Sequence, residues 1–159
     1  MDIDKLITKI QAAQPDINFR PAETFYWSPT DQTVYYCNDD NDQESLWALL
    51  HETGHGILGH KQYFSDFELV KMEVEAWEKA KELASRLMTH DSPIIPDEDH
   101  IQDCLDSYRD WLHKRSLCPD CHLSSIQIDE HTYTCVFCHK RWRVTAERFC
   151  RPYRKVVAT

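Results

Sequence analysis

The pentapeptide His51-Glu52-Thr53-Gly54-His55 holds the residues whose types and spacing point most directly to chemistry. It continues an apolar run, Ser45 to Leu50, that favours a helix. On a helix, residues i and i+4 lie on the same face, so both imidazoles can bind one metal ion. The glutamate lies about 100° further around the helix, within reach of a water molecule on that metal. This pattern predicts peptide-bond cleavage by a metal-activated water, with the carboxylate as the base.

The third metal ligand is not part of this motif. A catalytic zinc normally has three protein ligands and leaves one position for water. If the helix continues, His60 lies about 180° from His51 and points away from the metal. The next histidine in the chain is His90, far along the sequence. We therefore expect the third ligand to be a carboxylate.

A second helix, predicted at about residues 66–88, supplies such a carboxylate. Glu73 is the only charged side chain in the apolar arc of this helix, and an isolated buried carboxylate is unfavourable unless it is paired or binds a metal. We predict Glu73 as the third ligand. Glu75 on the opposite face is the alternative ligand, and a buried Glu73 bonded to a core hydroxyl is the alternative without a metal. The arc contains Leu69, Met72, Ala76, Trp77, Ala80, Leu83, Ala84 and Leu87.

These motifs resemble those of the gluzincin metallopeptidases. HExxH followed by a second helix with E-x-x-A, here residues 73–76, is similar to the ImmA/IrrE group and to the minigluzincins. The resemblance covers about residues 20–90. It implies a zincin-like fold of helices with a short sheet. It also implies a catalytic zinc held by His51, His55 and Glu73, with Glu52 as the general base.

The chain departs from related patterns at three positions. In the gluzincin-like families a polar Asn or Asp follows the Ala of E-x-x-A, whereas this chain has Trp77. The partner that orients a zinc-bound imidazole must therefore come from elsewhere. A metzincin would have glycine and histidine where the chain has Leu58 and Lys61. A SprT-like protease, a further possibility because it also pairs HExxH with a zinc ribbon, would need a later third histidine.

The segments before the HExxH motif predict a helix and a hairpin. Residues 2–13 have apolar side chains at helical spacing, and residues 23–27 and 32–37 are aromatic and β-branched runs on either side of a turn. Val34-Tyr35-Tyr36 is expected to be either the sheet edge that binds an extended peptide or an ordinary strand of the core. The Asn and Asp residues at 38–42 are expected to cap the active-site helix.

After the second helix the chain predicts a third, from about Pro96 to Arg115, with Cys104 as a small core residue. The oxyanion-stabilising residue is left open by the sequence. The candidates are Tyr63, His90, His100, Tyr108 and His113.

Two C-x-x-C motifs form the second strong signal. Cys118, Cys121, Cys135 and Cys138 have the spacing of a tetrahedral zinc site, and strand-like segments at 125–128, 132–134 and 142–144 complete a pattern that resembles a zinc ribbon. The alternatives are two disulfides or a redox pair. Each motif is followed by a histidine, at 122 and 139, where ribbons often have glycine, so a histidine could replace a cysteine as a ligand.

The net charge of the chain changes sign between residues 116 and 117, just before the first C-x-x-C motif. Residues 1–116 carry a net charge of −12 and residues 117–159 carry +3, with all seven basic residues of the second segment between Lys140 and Lys155. This basic tail could contact nucleic acid, an acidic partner or the acidic first domain. Seven cysteines, no signal peptide and no long apolar run predict a cytoplasmic protein with no membrane partner.

Together these observations predict an α+β protein in which a gluzincin-like domain, residues 1–116, precedes a zinc ribbon with a basic tail, residues 117–159. The expected function is that of a zinc metalloendopeptidase acting on a protein or peptide, with one catalytic and one structural Zn²⁺. The alternative is a regulatory zinc-binding module that binds a protein or nucleic-acid partner without cleaving it.

Overall fold

The computed structural model describes residues 2–38, 42–87 and 94–145, together with the backbone of residues 155–156. It confirms the predicted α+β class. The helices are α1 (Ile3–Ala13), α2 (Gln43–Leu58), α3 (Asp66–Leu87) and α4 (Glu98–Ser116). The strands are β1 (Asn18–Ala22), β2 (Tyr26–Ser28), β3 (Thr33–Cys37), β4 (Ile126–Asp129), β5 (Thr132–Thr134), β6 (Arg141–Arg143) and β7 (Lys155–Val156).

The chain folds into two compact units. The first contains Met1–Lys61 and Lys71–Ile101, and the second contains Gln62–Val70 and Gln102–Thr159. Helices α3 and α4 each contribute residues to both units, and the domain boundary at residue 116 stays a prediction. Among the described residues, no helix has the length and apolar character needed to cross a membrane.

The first unit has a three-stranded sheet in the order β1-β3-β2. The predicted hairpin is confirmed, because β2 pairs antiparallel with β3. Strand β1, which the sequence analysis missed, pairs parallel with the other side of β3. Val34-Tyr35-Tyr36 therefore lies in the central strand, and its interpretation as a peptide-binding edge was wrong. Pro21 fits the edge position of β1, because proline has no N–H to donate to a further strand.

Helices α1 and α2 have the caps that their sequences favour. The Asp2 side chain accepts a hydrogen bond from the Lys5 backbone N–H, and the Asp42 side chain accepts one from the Ser45 N–H. Residues 39–41 of the predicted capping segment lie outside the described residues. Helix α2 packs against β2, β3 and α1, which leaves the His51–His55 face directed toward α3.

Gly54 marks the closest approach of α2 and α3. A Cβ atom at this position would lie 2.5 Å from the carbonyl oxygen of Ala76. Any side chain here would push the two backbones apart, so the glycine sets the distance between the helix that holds His51 and His55 and the helix that holds Glu73.

The second unit contains the ribbon. Its four strands are antiparallel in the order β4-β5-β6-β7. Strands β4, β5 and β6 match the three predicted strands to within one residue at each end, and β7 was not predicted. Its core is a single small cluster, which consists of Cys118, Tyr133, Cys135, Trp142 and Val144.

A buried arginine holds the ribbon sheet to the helical part of this unit. Arg115 is fully buried, donates from Nε to the Tyr133 hydroxyl at 3.2 Å, forms an ion pair with Asp66 and lies 4.5 Å from the centre of the Trp111 ring. These contacts satisfy a charge that would otherwise be costly to bury. Cys104, predicted as a core residue, is only half-buried on α4.

We expect Gly54→Ala to lower the free energy of unfolding by about 1–3 kcal/mol, because the added methyl group meets the backbone of α3 and cannot be avoided by a side-chain rotation. Gly56→Ala is the matched control: its Cβ would meet the side chains of Trp27 and Ile17 at 3.0–3.2 Å, and these can move. The control should therefore lose less stability than Gly54→Ala. Urea denaturation followed by circular dichroism measures the free energy of unfolding of the two variants and the wild type. A Gly54→Ala protein as stable as the wild type would contradict this account of the helix contact.

Candidate metal centres

The structure brings together the three residues predicted as ligands. His51 Nε2 lies 3.1 Å from His55 Nε2 and 3.1 Å from Glu73 Oε2, and His55 Nε2 lies 3.7 Å from Glu73 Oε1. All three side chains are buried. They form one of two groups in the described part of the chain that could hold a metal ion.

The spacing of these atoms fits a tetrahedral ion. Metal–nitrogen and metal–oxygen bonds of about 2.0–2.1 Å place two ligand atoms of a tetrahedron about 3.3 Å apart. The separations of 3.1–3.7 Å therefore need little adjustment to bind a metal. Two imidazole nitrogens and one carboxylate leave a fourth position of the tetrahedron for a water molecule.

The charges of the group are mutually dependent. Burial by itself raises the pKa of Glu73, but its hydrogen bonds to His51 and His55 outweigh burial and hold that pKa well below its usual range. Burial lowers the pKa of His55, but the hydrogen bond and negative charge of Glu73 outweigh it, and the net shift is upward. The pocket therefore favours a carboxylate beside positive charge, which is the electrostatic environment that a bound cation provides.

Glu52 lies outside the ligand group, as expected for a base. Its Oε2 accepts a hydrogen bond of 2.8 Å from the backbone N–H of Trp27, in the middle of β2. Its negative charge raises the pKa of the neighbouring His55. This contact places the sheet edge next to the candidate base, a position that the sequence analysis did not predict for Trp27.

His60 does not point away from the site, and here the sequence analysis was wrong. Helix α2 ends at Leu58, and Gly59 adopts a left-handed conformation with φ of +65° that turns the chain back. His60 Nδ1 thereby lies 2.8 Å from His55 Nδ1. Burial and the neighbouring His55 lower the pKa of His60, against the charge of Glu75. The glycine at position 59 was the signal that the helix would not continue.

Trp77 occupies the position where the families that the motifs resemble have a polar residue. Its ring lies 4.2 Å from the His51 ring, centre to centre, with an angle of 35° between the planes. The Nδ1 atom of His51 is buried and has no hydrogen-bond partner among the residues that the structure describes. The aromatic contact thus holds His51 in place without providing a hydrogen bond.

The other predicted candidates lie in different surroundings. Glu75, the alternative ligand, lies outside the ligand group, with Oε2 at 3.5 Å from His60 Nε2. Of the five oxyanion candidates, His100 belongs to the first unit, where its ring contacts Trp47 and Trp77. Tyr63, Tyr108 and His113 belong to the second unit, and His90 lies outside the described residues.

The four ribbon cysteines form the second candidate centre. Three sulfur–sulfur distances are 3.4 Å, 3.5 Å and 3.9 Å, close to the separation of about 3.8 Å expected for thiolates 2.3 Å from one tetrahedral ion. A disulfide bond measures about 2.05 Å, and all four cysteines are free, so the disulfide alternative was wrong. The group could hold a metal ion, and its members are Cys118, Cys121, Cys135 and Cys138.

The histidines that follow the two C-x-x-C motifs have a conformational role. His122 and His139 adopt φ values of +58° and +57°, the region that favours glycine, and each backbone N–H closes a turn to the first cysteine of its motif at 3.0 Å. Neither is part of the four-cysteine group. Backbone N–H groups of residues 137 and 138 that point at the Cys135 sulfur lower the pKa of this thiol to about 6. The turn thus favours the thiolate form of Cys135.

Comparison with known proteins gives no match to this chain, whether with protein-family models, curated proteins or solved structures.

We expect Glu73→Gln to remove the metal of the first centre while the four-cysteine centre keeps its own, because the amide carries no charge to balance the cation. Metal analysis of the purified full-length protein should then give one ion per chain instead of two. Glu78→Gln, on an exposed position of the same helix, is the control and should retain both. Two ions per chain in Glu73→Gln would exclude Glu73 as a ligand.

We expect Cys118→Ser to lose the ribbon metal and to make residues 117–145 sensitive to protease, because the five-residue cluster is too small to fold without the metal. Limited proteolysis with mass spectrometry measures this. Cys37→Ser, at the end of β3, should change neither metal content nor the cleavage pattern. A ribbon that stays protected in metal-free Cys118→Ser would contradict the structural role of the metal.

Proposed function

We propose that this protein is a zinc-dependent metallopeptidase of the gluzincin type, with a C-terminal ribbon that binds a second, structural zinc. The observation that carries the proposal is the convergence of two imidazole nitrogens and a buried carboxylate at ligand distances, with Glu52 beside them but outside the group. The donor set supports zinc, since tetrahedral sites of two His and one Glu suit this ion. Four thiolates at tetrahedral separations support the same ion in the ribbon.

Each residue of the first centre would have a distinct task. Zinc, when bound, lowers the pKa of a coordinated water to about 7 and polarises the substrate carbonyl. Glu52 would accept the proton of that water and pass it to the departing amine. The Trp27 N–H would hold the Glu52 carboxylate in position through Oε2.

The position of β2 supports a peptide as the substrate. Strand β2 is at the edge of its sheet, and Trp27 is its central residue. Because a residue in an antiparallel strand directs its N–H and C=O to the same side, the Trp27 carbonyl faces outward together with the N–H that bonds Glu52. An extended peptide could add to this edge by donating an N–H to that carbonyl. Its scissile bond would then lie close to the base.

One observation favours the alternative, a metal-binding module that binds a partner without cleaving it. The outward N–H of β2 is already bonded to Glu52, so substrate binding must compete with this contact or use the carbonyl alone. In this alternative the basic residues of the ribbon would contact nucleic acid or an acidic protein. Lys140, Arg141 and Arg143 lie on described parts of the ribbon, whereas Arg148, Arg151, Tyr153 and Arg154 lie outside them.

We expect Glu52→Gln to bind both zinc ions normally and to cleave about 10²–10⁴-fold more slowly, because glutamine keeps the bond from the Trp27 N–H but cannot accept the proton. Zinc-loaded full-length protein is incubated with unfolded protein substrates, and new N-termini are counted by mass spectrometry over time.

Glu44→Gln, an exposed substitution in the first turn of the same helix, is the matched control and should cleave at the wild-type rate. If wild type and Glu52→Gln cleave equally fast, the proposed mechanism is wrong. If the wild type holds zinc in the first centre and leaves every unfolded substrate intact, the partner-binding alternative is favoured.

A further inference from the structure

The turn after α2 brings a third imidazole against the metal group, on the side away from the ligand atoms. We propose that His60 and Glu75 form a positioning pair for the ligand His55, an inference that rests on the proposed metal site. The pair would supply a hydrogen bond to one of the two metal-bound imidazoles, that of His55.

The backbone fixes the position of His60. Its N–H donates to the His55 carbonyl at 3.0 Å, and its own carbonyl accepts a hydrogen bond of 2.9 Å from the indole N–H of Trp27. The left-handed turn at Gly59 connects these two anchors to the end of α2. Only 11% of the His60 side chain is exposed, so the ring has little room to adopt another position.

Metal binding determines where the protons of this chain of residues lie. If the metal binds Nε2 of His55, the proton of that ring is on Nδ1. The Nδ1 atoms of His55 and His60 are 2.8 Å apart, so Nδ1 of His60 must carry no proton and accept a hydrogen bond from the Nδ1–H of His55. The His60 proton is then on Nε2, which lies 3.5 Å from the Glu75 carboxylate. One arrangement of protons satisfies all three groups.

This arrangement strengthens one ligand and not the other. An acceptor on the far nitrogen of a ligating imidazole fixes its orientation and raises its basicity, and the loss of such a partner costs about 10–100-fold in metal affinity. His55 has this support. His51 has none among the described residues, since its Nδ1 atom lies without a partner beside the Trp77 ring.

An asparagine at position 60 separates a positioning role from a purely structural one. The Asn side-chain oxygen lies about where Nδ1 of histidine lies, so His60→Asn retains an acceptor for His55. It lacks any atom in place of Nε2 and therefore breaks the contact with Glu75. His60→Ala removes both the acceptor for His55 and the contact with Glu75.

The experiment measures zinc affinity of the first centre in the full-length protein by competition with a chromophoric chelator, together with the visible spectrum of the Co²⁺-loaded protein. The ribbon metal serves as the internal standard. His60→Ala should bind zinc about 10–100-fold more weakly, with a changed Co²⁺ spectrum, and His60→Asn should restore most of the affinity. Glu75→Gln should weaken binding in the wild-type background and have no effect in the His60→Asn background. Glu78→Gln should have no effect in either.

Wild-type affinity in His60→Ala would overturn the proposal, and so would a His60→Asn protein as weak as His60→Ala. An equal effect of Glu75→Gln in both backgrounds would show that Glu75 does not act through His60. None of these readouts depends on cleavage. If the wild type holds zinc as described here but cuts no peptide, the proposed peptidase activity is refuted and the positioning pair still stands. If the wild type holds no metal at this centre, the proposed activity and the positioning pair are both refuted.

Discussion

The contact between the backbones of α2 and α3 at Gly54 is the constraint on which the metal group depends. Ligand atoms on a common ion must come within about 3.3 Å of one another, and Glu73 must reach this distance from the neighbouring helix. The two helices must therefore approach more closely than ordinary side chains allow. A Cβ atom at Gly54 would lie 2.5 Å from the Ala76 carbonyl oxygen, so the absence of a side chain permits the approach. On α3, the E-x-x-A motif places the small Ala76 at the contact with Gly54 and Glu73 one turn earlier, where its carboxylate meets the two imidazoles.

The same crossing explains how a charged side chain can stay buried in the protein core. Glu73 is 5% exposed and lies among apolar side chains of α3, a position that is unfavourable for an unpaired carboxylate. His51 and His55 compensate for the lost hydration: His51 hydrogen-bonds to Oε2, and His55 Nε2 lies 3.7 Å from Oε1. The three side chains are thus arranged as a ligand group by the folded protein itself. A metal ion would enter a site that is already formed and would replace protons in it.

The sequence predicted those parts of the structure that depend on local periodicity. The apolar arc of α3 identified Glu73 because a helix wheel shows which charged residue must be buried. The turn at Gly59 was missed because the wheel was extended through a glycine that ends the helix, and this placed His60 on the wrong side. Strand β1 was missed because its partner β3 lies 15 residues later and the pairing leaves no local pattern. That pairing also makes β3 central, which its own residues do not reveal.

The two centres differ in how metal binding relates to folding. The first unit buries apolar residues from α1, α2, α3 and the sheet, so its core exists without a metal. The ribbon core consists of five residues, and two of them are cysteines of the group that could hold a metal ion. If the four cysteines bind a metal ion, its coordination would supply most of the free energy that folds the ribbon. The first unit has this core whether or not His51, His55 and Glu73 hold an ion, so a metal there would be free to keep one coordination position for a reactant under the proposed function.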